Sequence, residues 1–150
     1  MKIINDIDYL NKKCESISYN ESKKIANKMI LFMLQNKNIA NDSVGLACNQ
    51  LGLNGRVFIM KHKNKWIRFI NPVITYKSQE TIINEEGCLS IKKKQFKIER
   101  STEITIYHEK SNGDKLMSHG SEDHFNGLDA FTIQHEIDHL NGILINNKEL

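Results

Sequence analysis

The clearest period along the chain is helical. Between Asn20 and Leu34, Ile25, Met29, Phe32 and Met33 recur at i, i+4, i+7 and i+8 and share a face, with Asn20 or Ser22 placed to cap the helix. Asn36–Gln50 shows no such period and reads as a looser stretch around Gly45. The texture then changes. Arg56–Met60, Trp66–Ile70, Val73–Tyr76 and Glu103–His108 are short and rich in Ile, Val and aromatics, the composition of strands. In the last of these Ile104 and Ile106 alternate with Thr105 and Tyr107, which suits a half-buried strand. Asn112-Gly113 predicts a hairpin turn into Lys115–Ser118. A second helix is predicted over Leu128–Asn141, preceded by Gly127 and ended by Gly142 in the left-handed conformation. The order predicts an α+β fold: antiparallel β-sheets packed around a C-terminal helix, with an N-terminal helix before them.

Composition narrows the class. At 150 residues the chain fits a single domain over 1–150, with no repeat, no linker and one proline, Pro72. With 39% hydrophobic and 26% charged residues it is neither a disordered chain nor a membrane protein, and its apolar runs are far shorter than a spanning helix needs. No signal-peptide pattern opens the sequence, so the cytoplasm is the expected location. The net charge of +3 comes without a basic stripe, which excludes a DNA-binding footprint; Lys92-Lys93-Lys94 reads as a solvated face, with a weak, transient contact to ribosomal RNA as the second reading. Three cysteines make no disulfide framework and point to a reducing compartment with free thiols. Cys14 and Cys48 read as small buried hydrophobes, and His62, His108, His119 and His124 as ordinary histidines, the last two solvated in a polar stretch.

The second helix carries His135-Glu136-Ile137-Asp138-His139. Two histidines at i, i+4 share a face and can hold one metal ion, with Glu136 within reach of a water on that ion. A solvated polar helix face would carry the same letters. Ile133, Ile137, Leu140 and Leu144 form an apolar stripe facing the core, while His135 and His139 lie with Leu128, Phe131 and Thr132 on another, as on the floor of a pocket. A third ligand is wanted. The extension His-x-x-Gly-x-x-His fails, because Ile145 stands where the histidine should be, and downstream only Glu149 remains. Upstream, Cys88 in Glu86-Gly87-Cys88-Leu89-Ser90 is the best candidate, a buried small hydrophobe being the alternative.

With these residues in place the sequence resembles the peptide deformylases. Three segments carry the resemblance: Ser43-Val44-Gly45-Leu46-Ala47-Cys48-Asn49-Gln50, then Glu86–Ser90, then Gln134–Gly142 with its HExxH core. Phe69-Ile70-Asn71-Pro72 and Arg100 also fall at family positions. The departures are Ser43, Cys48 and Asn49, where the family usually has Gly, Ala and often Pro, and Ile91-Lys92-Lys93 in place of Val-Pro-Gly.

The resemblance implies a metal-dependent hydrolase that removes the N-formyl group from the initiator methionine of nascent peptides, releasing formate. It implies one divalent metal per chain, Fe²⁺ in the cell with Zn²⁺, Ni²⁺ or Co²⁺ as replacements, held by Cys88, His135 and His139. Glu136 would carry the proton from water to the leaving amine. The family assigns oxyanion donors to the Gln50 amide and the Leu89 backbone N–H. Val44 and Gly45 resemble the edge where substrate backbone docks, and Phe131 and Thr132 would line the methionine pocket. Glu86 and Arg100 resemble a structural pair behind the cysteine, a surface salt bridge being the alternative. The expected partners are formyl-Met peptides, with no membrane, and the expected state is a monomer. A degenerate homologue that only grips N-termini is the competing reading, although Glu136 and Gln50 would then have no use.

Overall fold

The structure is a computed structural model that describes residues 1–112, 115–116 and 120–150, with backbone alone at 93–94, 111–112 and 115–116. A short helix, α1 (Ile7–Leu10), precedes the long amphipathic one, α2 (Tyr19–Gln35). Ser18 caps α2: its hydroxyl accepts the Glu21 N–H at 3.3 Å and donates to the Glu21 carboxylate at 3.0 Å. Asn20 and Ser22, the expected caps, lie inside the helix, and Ser22 is buried with Ala26, Met29, Phe32 and Met33. Ile25 is only half-buried, so the apolar stripe is rotated slightly from the predicted one.

The stretch expected to be loose is ordered. It holds α3 (Lys37–Asn41), the strand β1 (Gly45–Ala47) and a 3-10 turn, η1 (Cys48–Leu51). All three residues of β1 are buried, so it shows no alternation, and the helical pieces are too short to show a period.

Eight more strands follow: β2 (Val57–His62), β3 (Lys65–Lys77), β4 (Thr81–Cys88), β5 (Ile91–Ser101), β6 (Glu103–Glu109), β7 (Ser111–Asn112), β8 (Lys115–Leu116) and β9 (Ser121–Asn126). β1-β2-β3-β6-β9 form one antiparallel sheet, and β4-β5 and β7-β8 form two-stranded ones. The two strands expected at Trp66–Ile70 and Val73–Tyr76 are one, β3, which passes Pro72 at a register shift, with Asn71 at φ 47°. The strands of the β4–β5 hairpin and β9 were not expected. β4 includes Asn84, Glu85 and Glu86, and β9 opens with Ser121-Glu122-Asp123, so pairing rather than propensity makes them strands. β7 and β8 pair as the hairpin signal predicts, while Gly113, Met117, Ser118 and His119 lie outside the described residues.

The core of the large sheet is built on Phe58 and Phe69, directly opposite on β2 and β3 with ring centroids 4.5 Å apart. Against it packs the last helix, α4 (Gly127–Leu140), which touches β1, β2 and β9 of that sheet and β5 of the smaller one. A helix held between two sheets is buried nearly all round: Ala130, Ile133, Ile137 and Leu140, but also Gln134, His135, Glu136 and His139. Leu144, the last member of the predicted stripe, is buried beyond the helix end. Gly142 has φ +72°, and a Cβ there would run into the Asn11 backbone, so glycine both ends α4 and admits the N-terminal segment. Among the described residues no helix is long and apolar enough to cross a membrane.

Candidate metal centre and active site

The motif on α4 and the end of β4 meet. One ligand atom each from Cys88, His135 and His139 lies within 4.8 Å of the others, and the Cys88 Sγ is 3.3 Å from His139 Nε2. The set is Cys-His₂, the donor chemistry of open catalytic metal sites. Cys88 is placed by the β4–β5 hairpin, whose register shifts just before it, between Glu86 and Cys88.

Behind the ligands sits a buried ionic chain. Arg100 on β5 donates to both oxygens of Glu86, at 2.7 and 2.8 Å, and to Asp138 at 2.6 Å. Glu86 Oε2 also accepts from Asn84 Nδ2 at 3.1 Å, and Oε1 meets His135, with Nδ1 at 3.0 Å. This bond fixes the ring and turns Nε2 toward the ligand group. With Arg100 at 2% exposure and Glu86 at 8%, the surface salt bridge reading fails, and the pair is structural. Lys148 adds a second basic side chain, 3.1 Å from Asp138.

The charges follow from this arrangement. Burial opposes ionisation of Glu86, but Arg100 and His135 overcome it and hold the carboxyl down at about 2. For the protein atoms alone, burial lowers His135 while the hydrogen bonds to Cys88 and Glu86 raise it further, to about 10. His139 goes the other way, well below the usual imidazole range, through burial and the charges of His135 and Arg100. One imidazole is thus neutral, and the other sits where positive charge is strongly favoured. That is the electrostatics of a cation site.

Glu136 points beside this group. Burial pushes its carboxyl up to about 7, with the nearby charges of His135 and Glu86 acting in opposite directions. Its Oε2 is buried with no hydrogen-bond partner among the described residues, and a Cβ on Gly45 would come within 2.6 Å of its Oε1. Only glycine lets the edge strand pass so close to this carboxylate. An acid–base group in this range can both take and return a proton near neutral pH.

Glu136, His135 and Cys88 face a cavity of about 670 Å³, lined also by Val44, Gly45, Gln50, Leu89, Phe131 and Thr132. All four expected pocket residues therefore reach the same space as the catalytic candidates. β1 pairs only with β2 among the described strands, so its other edge borders the cavity. Gln50 is oriented at both ends: its Oε1 accepts the Ala47 N–H at 3.0 Å, and its Nε2 donates to Ser90 Oγ at 3.2 Å and lies 3.7 Å from Cys88 Sγ.

Several supporting residues were not singled out from sequence. Ser90 orients Gln50, Asp138 takes the second arm of Arg100, and Gln134 clamps both the N–H and the carbonyl of Ser101. Gln134 lies just before the HExxH segment and Asp138 inside it, three residues after His135, which was the available signal. Other histidines behave as expected: His108 is buried against Asp123 at 2.8 Å and His124 is exposed, while His62 pairs with Asp129 at 2.8 Å on the cavity rim.

The family model described as polypeptide deformylase matches residues 2–149. The chain belongs to the polypeptide deformylase family. A peptide deformylase of Karelsulcia muelleri (strain GWSS) is 38% identical over 149 residues, covering 95% of this chain and 74% of the relative. One of Pseudothermotoga lettingae is 41% identical over 105 residues, covering 70% of this chain but only 58% of its own length. In three dimensions, the crystal structure of peptide deformylase from Thermotoga maritima matches with a TM-score of 0.81 at 33% identity, covering 100% of this chain and 96% of that one.

Two of the departures from the family pattern, Ser43 and Asn49, have structural uses. The Ser43 hydroxyl accepts the Gly45 N–H at 3.3 Å at the start of β1. Asn49 Nδ2 donates to the His139 carbonyl at 3.0 Å, satisfying a carbonyl in the last turn of α4.

Glu86 supplies the pH dependence. Its folded pKa of about 2 lies below the ordinary 4.5, so the stability it contributes is complete above about 4.5 and is lost as pH falls toward 2. In urea unfolding, the advantage of the wild type over Glu86→Gln should be constant between about pH 4.5 and 6.5, where neither Glu86 nor His135 titrates in either state, and shrink as pH falls below 4.5, by up to about 3 kcal/mol. A pH-independent difference would contradict the assignment.

Proposed function

We propose that the chain is a metal-dependent amidase that removes the N-formyl group from the N-terminal methionine of newly made peptides, releasing formate. The observation that carries this reading is the buried Glu136 carboxyl, near pKa 7, beside the Cys88–His135–His139 group at the floor of a cavity bordered by a strand edge. Family membership gives the reaction class, and the cavity gives the means.

Cys88 Sγ and the Nε2 atoms of His135 and His139 would hold the cation, which we take to be Fe²⁺ in the cell with Zn²⁺, Ni²⁺ or Co²⁺ able to replace it. A divalent ion bound there supplies Lewis acidity. The peptide lies extended along β1 at Val44 and Gly45, adding a strand to the sheet edge, and its methionine side chain packs against Phe131 and Thr132. Glu136 takes a proton from the attacking water and delivers it to the amine nitrogen as the C–N bond of the formamide breaks. Negative charge developing on the formyl oxygen is met by the Gln50 Nε2–H and the Leu89 N–H. Ala47 and Ser90 preorganise the first of these donors.

Formate release from a formyl-Met dipeptide, measured with the metal-loaded protein, tests the reading; absence of turnover would sink it. Glu136→Gln is expected to keep one metal per chain and lose nearly all turnover. Loss of metal instead would make Glu136 structural. Gln50→Ala should lower kcat by ~10²–10³-fold with KM little changed and metal content intact, because its donor is aimed at charge present only in the transition state. A change confined to KM would move Gln50 to substrate binding.

A further inference from the structure

The open edge of β1 is already occupied by a side chain. In an antiparallel pair, alternate residues turn their N–H and C=O toward the partner strand. Val44, just ahead of β1, faces β2, its carbonyl accepting the Lys61 N–H at 2.8 Å. The next residue, Gly45, therefore faces the cavity. Both of its backbone polar groups are taken by Ser43, whose hydroxyl accepts the Gly45 N–H at 3.3 Å and donates its own proton to the Gly45 carbonyl. Ala47, the next residue with the same orientation, gives its N–H to Gln50.

A peptide docking on this edge needs the same groups. An added strand exchanges an N–H···O pair with each residue that faces it. On β1 the residue in question is Gly45, which lies against the Glu136 carboxyl. With one oxygen Ser43 satisfies both the donor and the acceptor of Gly45, a local side-chain substitute for a strand. It is half-buried on the cavity wall, at a position where the family usually has glycine, which has no hydroxyl to offer.

We propose that Ser43 is a built-in competitor for the substrate backbone: a peptide seats on Gly45 only after the Ser43 hydroxyl has rotated off it. The inference rests on the strand-addition reading given above and names the residue that sets how tightly the edge takes a peptide. The exchange of bonds is complete on docking, before charge develops at the formyl group. It therefore weakens ground state and transition state equally, and its signature is in KM rather than kcat. The sign is the reverse of that for a side chain that supports the edge. Removing the hydroxyl should tighten peptide binding.

The test is isothermal titration calorimetry of the zinc-loaded protein with Met-Ala-Ser, the deformylated product peptide, together with kcat and KM for formyl-Met-Ala-Ser. Ser43→Ala should bind Met-Ala-Ser about 3–10-fold more tightly, the size of one net hydrogen bond, and lower KM by the same factor at unchanged kcat. Ser43→Thr keeps the hydroxyl and should bind like the wild type. Affinity in Ser43→Ala equal to or below that of the wild type would overturn the proposal and make the hydroxyl a support for the edge. A Ser43→Thr variant as tight as Ser43→Ala, or no peptide binding in any of the three proteins, would overturn it too. The calorimetric comparison needs no turnover, so a protein that releases no formate would fail the functional reading and still decide the role of Ser43.

Discussion

Arg100 is the residue around which the site is organised. A guanidinium buried this completely must be matched by carboxylates, and its planar fork can face two at once. Glu86 comes from β4 and Asp138 from α4, so satisfying one cation fixes the hairpin that presents Cys88 against the helix that presents both histidines. Buried ion pairs are poor sources of net stability, because desolvation cancels much of their attraction. What this one supplies is position. The His135 ring is held by the same carboxylate that Arg100 grips, so the orientation of a metal ligand is linked to the packing of two elements.

The second constraint is space. α4 lies between two sheets and has no solvated face along its HExxH segment, so Glu136 is buried and its proton affinity rises. The edge strand reaches it only because residue 45 is glycine. A carboxyl buried without a hydrogen bond at one oxygen is costly in a folded protein, and such groups are kept where chemistry uses them. The proposed proton carrier and the substrate-docking edge are therefore consequences of one packing arrangement.

Much of this was legible in the sequence, and the reason differs by element. The i, i+4 histidines and Gly142 are written in local spacing, so α4 and its end could be read directly. Ile104 and Ile106 announced β6 in the same way. β4, β5 and β9 were not legible: Asn84, Glu85 and Glu86 are poor strand formers, and only the partner strand and Arg100 explain them. Gln50 was singled out only through the family resemblance, because its setting, a single 3-10 turn after three buried residues, leaves no period to detect.

The central claim is that Arg100, acting through Glu86, holds His135 in ligating position. It is tested most directly by the affinity of the folded protein for a divalent cation, measured by chelator competition at neutral pH in the wild type and in Glu86→Gln. Loss of the carboxylate behind the imidazole should weaken binding by ~10–100-fold while circular dichroism remains native. Unchanged affinity in a natively folded Glu86→Gln variant would contradict the claim.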